Sequence, residues 1–212
     1  MRAIVIGAGR GRRLMPTTEK APKCFAEIQG KRILDWTVEA LRGGGCTELC
    51  FIGGYRIEAV RRDYPEFTFR ENDDWPNNNI LVSLMCAEDL MDEPVVICYS
   101  DILFTTEIVQ RLVGSEADLA LGVDTEWREH YKPRTQHPPH DAEKVIVRGD
   151  KVERVYRTIP YDAATGEFIG VAKFSKEGAR QFRDFYRRRK TEFWGKPYRE
   201  AVTFQKAYLI HM

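Results

Sequence analysis

Short apolar runs alternate with segments of helical apolar spacing along the first half of the chain. The runs Arg2 to Ile6, Leu49 to Ile52, Phe67 to Arg70 and Val95 to Tyr99 predict strands. Between them, Ile33 to Arg42, Ile57 to Asp63, Ile80 to Met91 and Glu107 to Val113 predict helices, the first ended by Gly43, Gly44 and Gly45. Strands alternating with helices in this way imply βαβ units, hence an α/β fold with a mainly parallel sheet covered by helices on both faces.

The second half changes character. Leu119 to Val123, Lys144 to Val147, Val152 to Tyr156 and Phe168 to Phe174 predict strands with short connections, and Arg148-Gly149-Asp150-Lys151 predicts a hairpin turn. Ser175 is a natural N-cap for a helix running to Lys190. The cluster Arg187, Arg188, Arg189 and Lys190 falls in its last turns, where cations suit the helix dipole better than they indicate a nucleic-acid patch. A further helix is expected from Arg199 to the end.

The length of 212 residues suits one domain, 1–212, and an apolar share of 43% can furnish its core. With 33 Lys plus Arg against 32 acids the chain is almost neutral, which argues against broad electrostatic binding to nucleic acid and requires any anion site to be local. No run is long enough to span a membrane, and the N-terminus opens on a strand without a signal-peptide pattern, so a cytoplasmic protein is expected. Cys24, Cys46, Cys50, Cys86 and Cys98 have no metal-like pairing and read as reduced thiols.

The loop GAGRGRRLMPTTEKAPK, Gly7 to Lys23, changes the picture most. It is not a dinucleotide turn, because the third glycine, Gly11, comes one residue early and Pro16 and Pro22 interrupt the helix that should follow. Nor is it a Walker loop, since no Gly-Lys-Ser/Thr tripeptide occurs. What remains is a long anion-binding loop at a strand end, with glycines that bring backbone N–H groups close and with Arg10, Arg12, Arg13, Lys20 and Lys23 as cations. Tyr99-Ser100-Asp101 ends another strand at the same edge, and a carboxylate there suits Mg2+ held against phosphate oxygens. Trp75-Pro76-Asn77-Asn78-Asn79, ahead of the helix holding Ser83, reads either as a turn with a helix cap or as amides offered to a base edge. Asp124-Thr125-Glu126-Trp127 and Tyr131 place aromatics beside acids, a setting for an ammonium group or for ordinary packing. His130, His137 and His140 lack zinc spacing and read as a solvated, Pro-rich loop.

Gly9, Gly11, Arg13, Leu14, Pro16, Thr18, Pro22 and Lys23 together form a long signature, G-x-G-x-R-L-x-P-x-T followed by P-K. Through it the chain resembles the nucleotidyltransferase superfamily of sugar-1-phosphate nucleotidyltransferases, and within it the phosphocholine cytidylyltransferases and their phosphonate-activating relatives. Gly54-Tyr55, the Asn-rich stretch before Ser83-Leu84, Ser100-Asp101 and Glu167 to Phe174 extend the likeness over nearly all of the chain. The resemblance implies a Rossmann-like mixed, mainly parallel sheet of the nucleotide-diphospho-sugar transferase type. It implies that Ala8, Gly9 and Gly11 wrap the triphosphate of CTP, with Arg13 on its outer phosphates and Lys23 near the reacting ones. Gly54, Tyr55, Asn79 and Ser83 would bind the nucleotide, and Asp101 would hold Mg2+. An acceptor of phosphocholine or 2-aminoethylphosphonate type would meet Trp127, Tyr131, Arg157 and Lys173. The relatives often carry lysine where Arg157 stands, and they continue to a strand with a Glu-x-Asp pair that completes their metal site, so this chain is expected to lack the family's C-terminal end. A sugar-1-phosphate nucleotidyltransferase and a non-catalytic nucleotide-binding domain are the alternatives.

Overall fold

The computed structural model describes residues 1–11, 18–135 and 138–212; Arg13 and His137 lie outside them. In chain order the elements are β1 (Arg2–Ile6), a small hairpin of β2 (Glu27–Ile28) and β3 (Lys31–Arg32), α1 (Ile33–Gly43), β4 (Glu48–Gly53), α2 (Ile57–Asp63), β5 (Thr68–Glu71), α3 (Ile80–Met85), β6 (Val95–Tyr99) and α4 (Thr106–Val113). There follow β7 (Leu119–Asp124), α5 (Trp127–Tyr131), β8 (Lys144–Arg148), β9 (Lys151–Tyr156), β10 (Gly166–Phe174) and α6 (Lys176–Phe193).

Among the described residues one sheet runs β5-β4-β1-β6-β10-β8-β9, with β7 paired to β10 off this path. The first four strands are parallel, and β10 then enters antiparallel to β6, β7 and β8. Because side chains alternate across a strand, Ile4, Ile6, Ile52 and Ile97 face α3, α6 and the C-terminal segment, while Ala3, Val5, Phe51 and Cys98 face α1, α2 and α4. Each face therefore carries its own apolar cluster, as the unbroken apolar character of β1 and β6 requires. The Ser175 hydroxyl accepts the Gly178 N–H at 3.0 Å and starts α6, which lays Phe182 and Tyr186 on the sheet.

Two expected helices are altered. The one from Ile80 stops at Met85, because Ala87 leaves helical dihedrals (φ −110°, ψ 25°) and a short 3-10 turn carries Met91 into the core. Nor does a helix run from Arg199. That residue is left-handed (φ 53°), Tyr198 bridges Ala201, and Thr203 and Tyr208 are extended, so two 3-10 turns form instead. The short helix α5 was not expected, being too brief for apolar periodicity to register.

Candidate active site

The C-terminal ends of the parallel strands are laced together by backbone bonds. Gly7 N–H donates to Ile52 O (2.8 Å), Ser100 N–H to Ile6 O (3.1 Å) and Tyr55 N–H to Ala8 O (2.9 Å). This brings the glycine loop, Gly54-Tyr55 and Ser100-Asp101 to one edge, where an open α/β sheet binds ligands. Gly11 sits at φ 67°, and a Cβ there would lie 2.9 Å from the Lys23 side chain, so only glycine permits the turn and the close passage of Lys23. Buried Thr18 donates to Gly11 O at 3.0 Å. Lys23 Nζ is hydrogen-bonded to the Asp101 carboxylate, joining the two principal candidates in one half-exposed ion pair. Tyr55 donates to Glu19 O (2.6 Å), stacks edge-on with Trp75 and carries the Arg10 guanidinium 5.4 Å from its ring.

From Lys23 and Asp101 a cleft of about 1040 Å³ runs across β10 toward β7 and β8, passing Asn79, Tyr131 and Arg157. Gly170 makes this possible: at φ 78° it bulges β10, and a Cβ there would stand 2.5 Å from the Tyr99 ring. The cleft wall is charged in both senses. Glu143 accepts from the Tyr99 hydroxyl (3.1 Å) and from Arg157 Nη2 (3.3 Å). Burial pushes its carboxyl up to about 7 despite the Arg157 charge and the Tyr99 bond. Burial likewise raises Glu167, although the Tyr131 hydroxyl donates to it at 2.7 Å. Asp124 pairs with His130 Nδ1 at 2.7 Å, and the Arg134 guanidinium lies 4.2 Å from the Tyr131 ring. Arg157 stacks 3.8 Å from the Tyr208 ring centroid, and its buried Nε has no partner among the described residues.

Lys23, Asp101, Asn79, Tyr131 and Arg157 thus share one cleft, and Ala8, Gly9, Gly11, Gly54 and Tyr55 adjoin it. Three expected site residues turn away. Trp127 is fully buried, packed edge-on between Tyr131 and Tyr161, because its helix supports the wall from behind. Lys173 pairs with Val96 near the start of β6, and its Nζ donates to Ser115 O (2.8 Å) and Ala117 O (3.1 Å). The antiparallel course of β10 carries Lys173 to the opposite edge of the sheet. Ser83 is buried, accepting from Asn72 (2.8 Å) and donating to Asn79 O (3.2 Å). The asparagine stretch scaffolds itself: Asn72 and Asn78 exchange amide bonds, and Asn79 caps α3 at Ile80 N–H while donating to Lys206 O.

His130, expected in a solvated loop, lies on α5 and faces the cleft. Glu143, Glu167, Arg134 and Tyr208 also line the cleft, though no sequence motif singles out their roles. Glu167 opens the Glu167 to Phe174 segment that carries part of the family likeness, whereas the burial of Glu143 comes from strands distant in sequence. No group of three or more His, Cys, Asp or Glu suited to a metal occurs among the described residues.

Glycines and a carboxylate at the parallel strand ends, facing a cleft lined by charges of both signs, are the arrangement of a nucleotide-binding α/β transferase. The chain belongs to the MobA-like NTP transferase domain family, which it matches over residues 3–158, and is a nucleotidyltransferase. It is 31% identical over 196 residues to the CTP:phosphoglutamine cytidylyltransferase of Campylobacter jejuni, covering 88% of this chain and 78% of that protein. It is 29% identical over 106 residues to the choline-phosphate cytidylyltransferase of Streptococcus pneumoniae, covering 49% of this chain and 46% of that one. The inositol-1-phosphate CTP transferase from T. maritima shares the fold, with a TM-score of 0.73 at 23% identity over 99% of this chain and 78% of that chain.

Proposed function

We propose that the chain is a Mg-dependent cytidylyltransferase, moving CMP from CTP to a small phosphorylated or phosphonylated acceptor that also carries a charged nitrogen, with release of pyrophosphate. Acceptors of the phosphocholine, 2-aminoethylphosphonate and phosphoglutamine kinds fit this description. The observation that carries the reading is the meeting of Lys23 with Asp101 at the phosphate edge, at the mouth of a cleft lined by both carboxylates and arginines. Relatives named for CTP support the nucleotide. The mixed charge of the cleft suits a zwitterion better than a neutral sugar ring.

In this reading the Ala8 to Gly11 backbone and Arg13 hold the triphosphate, beside Gly54, Tyr55 and Asn79. An oxygen of the acceptor phosphate forms the new bond to the α-phosphorus, and the bond to the β-phosphate oxygen breaks, that oxygen leaving with the electron pair on pyrophosphate. Lys23 stands where negative charge gathers during this exchange, and leaves Asp101 as phosphate arrives. Mg2+ is bound by few carboxylates together with substrate phosphates and water, and the partly exposed Asp101 side chain fits that habit, so it would hold the ion, whose charge offsets that of the phosphates. Arg157 orients the acceptor phosphate through its spare donors, while Tyr131 with Glu167 and Asp124 faces the nitrogen end. No proton transfer is needed, so positioning and charge supply the catalysis.

The test is pyrophosphate release with Mg2+ from each of four nucleoside triphosphates, against a panel of amino-alcohol phosphates, phosphonates, phosphorylated amino acids and sugar phosphates. Release with CTP and one zwitterionic acceptor is expected. Release with a sugar phosphate sinks the acceptor assignment, and silence from folded, CTP-binding protein makes the chain a non-catalytic domain.

A further inference from the structure

The C-terminal segment approaches the cleft from behind and ends in a closed hydrogen-bond circuit. His211 has a fully buried side chain; its Nδ1 accepts the Tyr208 N–H at 3.1 Å, which places the ring proton on Nε2, directed at Glu200 Oε2 3.3 Å away. Glu200 in turn accepts two backbone donors, the N–H of Thr158 at 2.7 Å and that of Arg157 at 3.2 Å. Burial opposes ionisation of Glu200, but these N–H donors, with the His211 bond, hold its carboxyl below the usual range. Tyr208, between the two acting groups, lies under the Arg157 guanidinium. The main chain and the side chain of Arg157 are therefore both gripped by this one segment, from Glu200 and from Tyr208.

A buried histidine-carboxylate pair is costly to assemble for packing alone, since an apolar pair would fill the same space without desolvating a charge. What this pair adds is direction. Arg157 has rotamer freedom to lose: its guanidinium donates to Glu143 at 3.3 Å, and among the described residues its Nε has no partner. The same segment reaches the opposite wall, where Lys206 Nζ donates to Pro76 O (3.1 Å) and its carbonyl accepts from Asn79 (3.1 Å).

We propose that Glu200 and His211 are positioning residues for acceptor recognition: acting through the Arg157 backbone, with Tyr208 beneath the guanidinium, they aim Arg157 into the cleft at the acceptor's phosphate. The proposal rests on the cytidylyltransferase reading for the identity of that anion. It predicts a split between substrates. With the full chain, E200Q and H211N raise the acceptor KM about tenfold or more, as expected for a displaced binding group, and leave the CTP KM within about twofold. H211Q places an amide donor near the position of Nε2 and restores much of the acceptor KM, whereas H211N keeps only the acceptor for Tyr208 N–H and does not.

A second readout needs no turnover. The Arg157 Nε–H resonance, assigned from its loss in R157K, is followed by NMR while inorganic phosphate is titrated. Wild type and H211Q are expected to shift with phosphate, and E200Q and H211N to require about tenfold more of it. Equal rises in both KM values with a lowered Tm would make the pair a fold element only and overturn the proposal, as would a wild-type Arg157 resonance that phosphate never moves. If no acceptor supports pyrophosphate release but the phosphate titration still separates H211N from H211Q, the positioning stands and the cytidylyltransferase reading is what fails.

Discussion

Lys23 and Asp101 are 78 residues apart in sequence and paired in space. Each is partly exposed, so their ion pair adds little to stability. K23A and D101N are therefore expected to lower kcat for pyrophosphate release by about 10²- to 10³-fold, with Tm nearly unchanged, measured by steady-state kinetics and calorimetry. Glu143 behaves in the opposite manner. Its folded pKa, pushed by burial up to about 7, lies above its ordinary value, so the folded state retains a proton that the unfolded chain has lost. Its contribution to stability is thus full at acid pH and is lost as pH rises through about 7, by as much as ~3 kcal/mol. E143Q, which cannot ionise, should flatten that part of the profile; urea midpoints from pH 5 to pH 8 that fall equally in wild type and variant would refute this. That Lys23 and Asp101 come to one edge of the sheet was legible, because the glycine loop and a strand end carry local signatures. Ser83, Trp127 and Lys173 stand away from the cleft, which pattern does not show, because it marks which residue types are present but not which way a short helix or an antiparallel strand turns them.

Strand β10 decides the shape of the cleft. It runs against β6, bulges at Gly170 and continues beyond the sheet edge to pair Glu167 with Asp124 and Lys144. Replacing Gly170 with alanine would combine a left-handed backbone with a 2.5 Å contact to Tyr99, at a cost of about 1–3 kcal/mol. The displaced Tyr99 would release Glu143, so G170A should raise the acceptor KM more than the CTP KM; an unchanged acceptor KM in a destabilised protein would refute the link. Most elements were legible because each has its own apolar period: β1 and β6 lie where the pattern puts them. The segment after Arg199 was not, since Ala201, Phe204 and Ala207 have helix-like spacing and yet reach the core through a left-handed residue and 3-10 turns.

At the scale of the molecule, two apolar clusters share one sheet and the ligand edge spans both halves of the chain. A nucleotide bound there grips the folded state only, so CTP with Mg2+ at about a hundred times its Kd should add ~2.7 kcal/mol and raise Tm by roughly 5–10 °C, read by differential scanning fluorimetry. NAD at the same concentration should leave Tm where it is, because the glycine spacing opens no dinucleotide turn. The sequence by itself determined the alternation of strands and helices, the glycine loop after the first strand and the carboxylate at the end of another. These are local properties, set by apolar periodicity and by the glycines, cations and acid that phosphate chemistry requires. Only the tertiary structure decided what stands opposite that loop. The antiparallel entry of β10, the burial of Glu143 and the grip of Glu200, Tyr208 and His211 on Arg157 depend on contacts between residues far apart in the chain. Such contacts follow from sheet order and chain direction, which no short window of residues encodes.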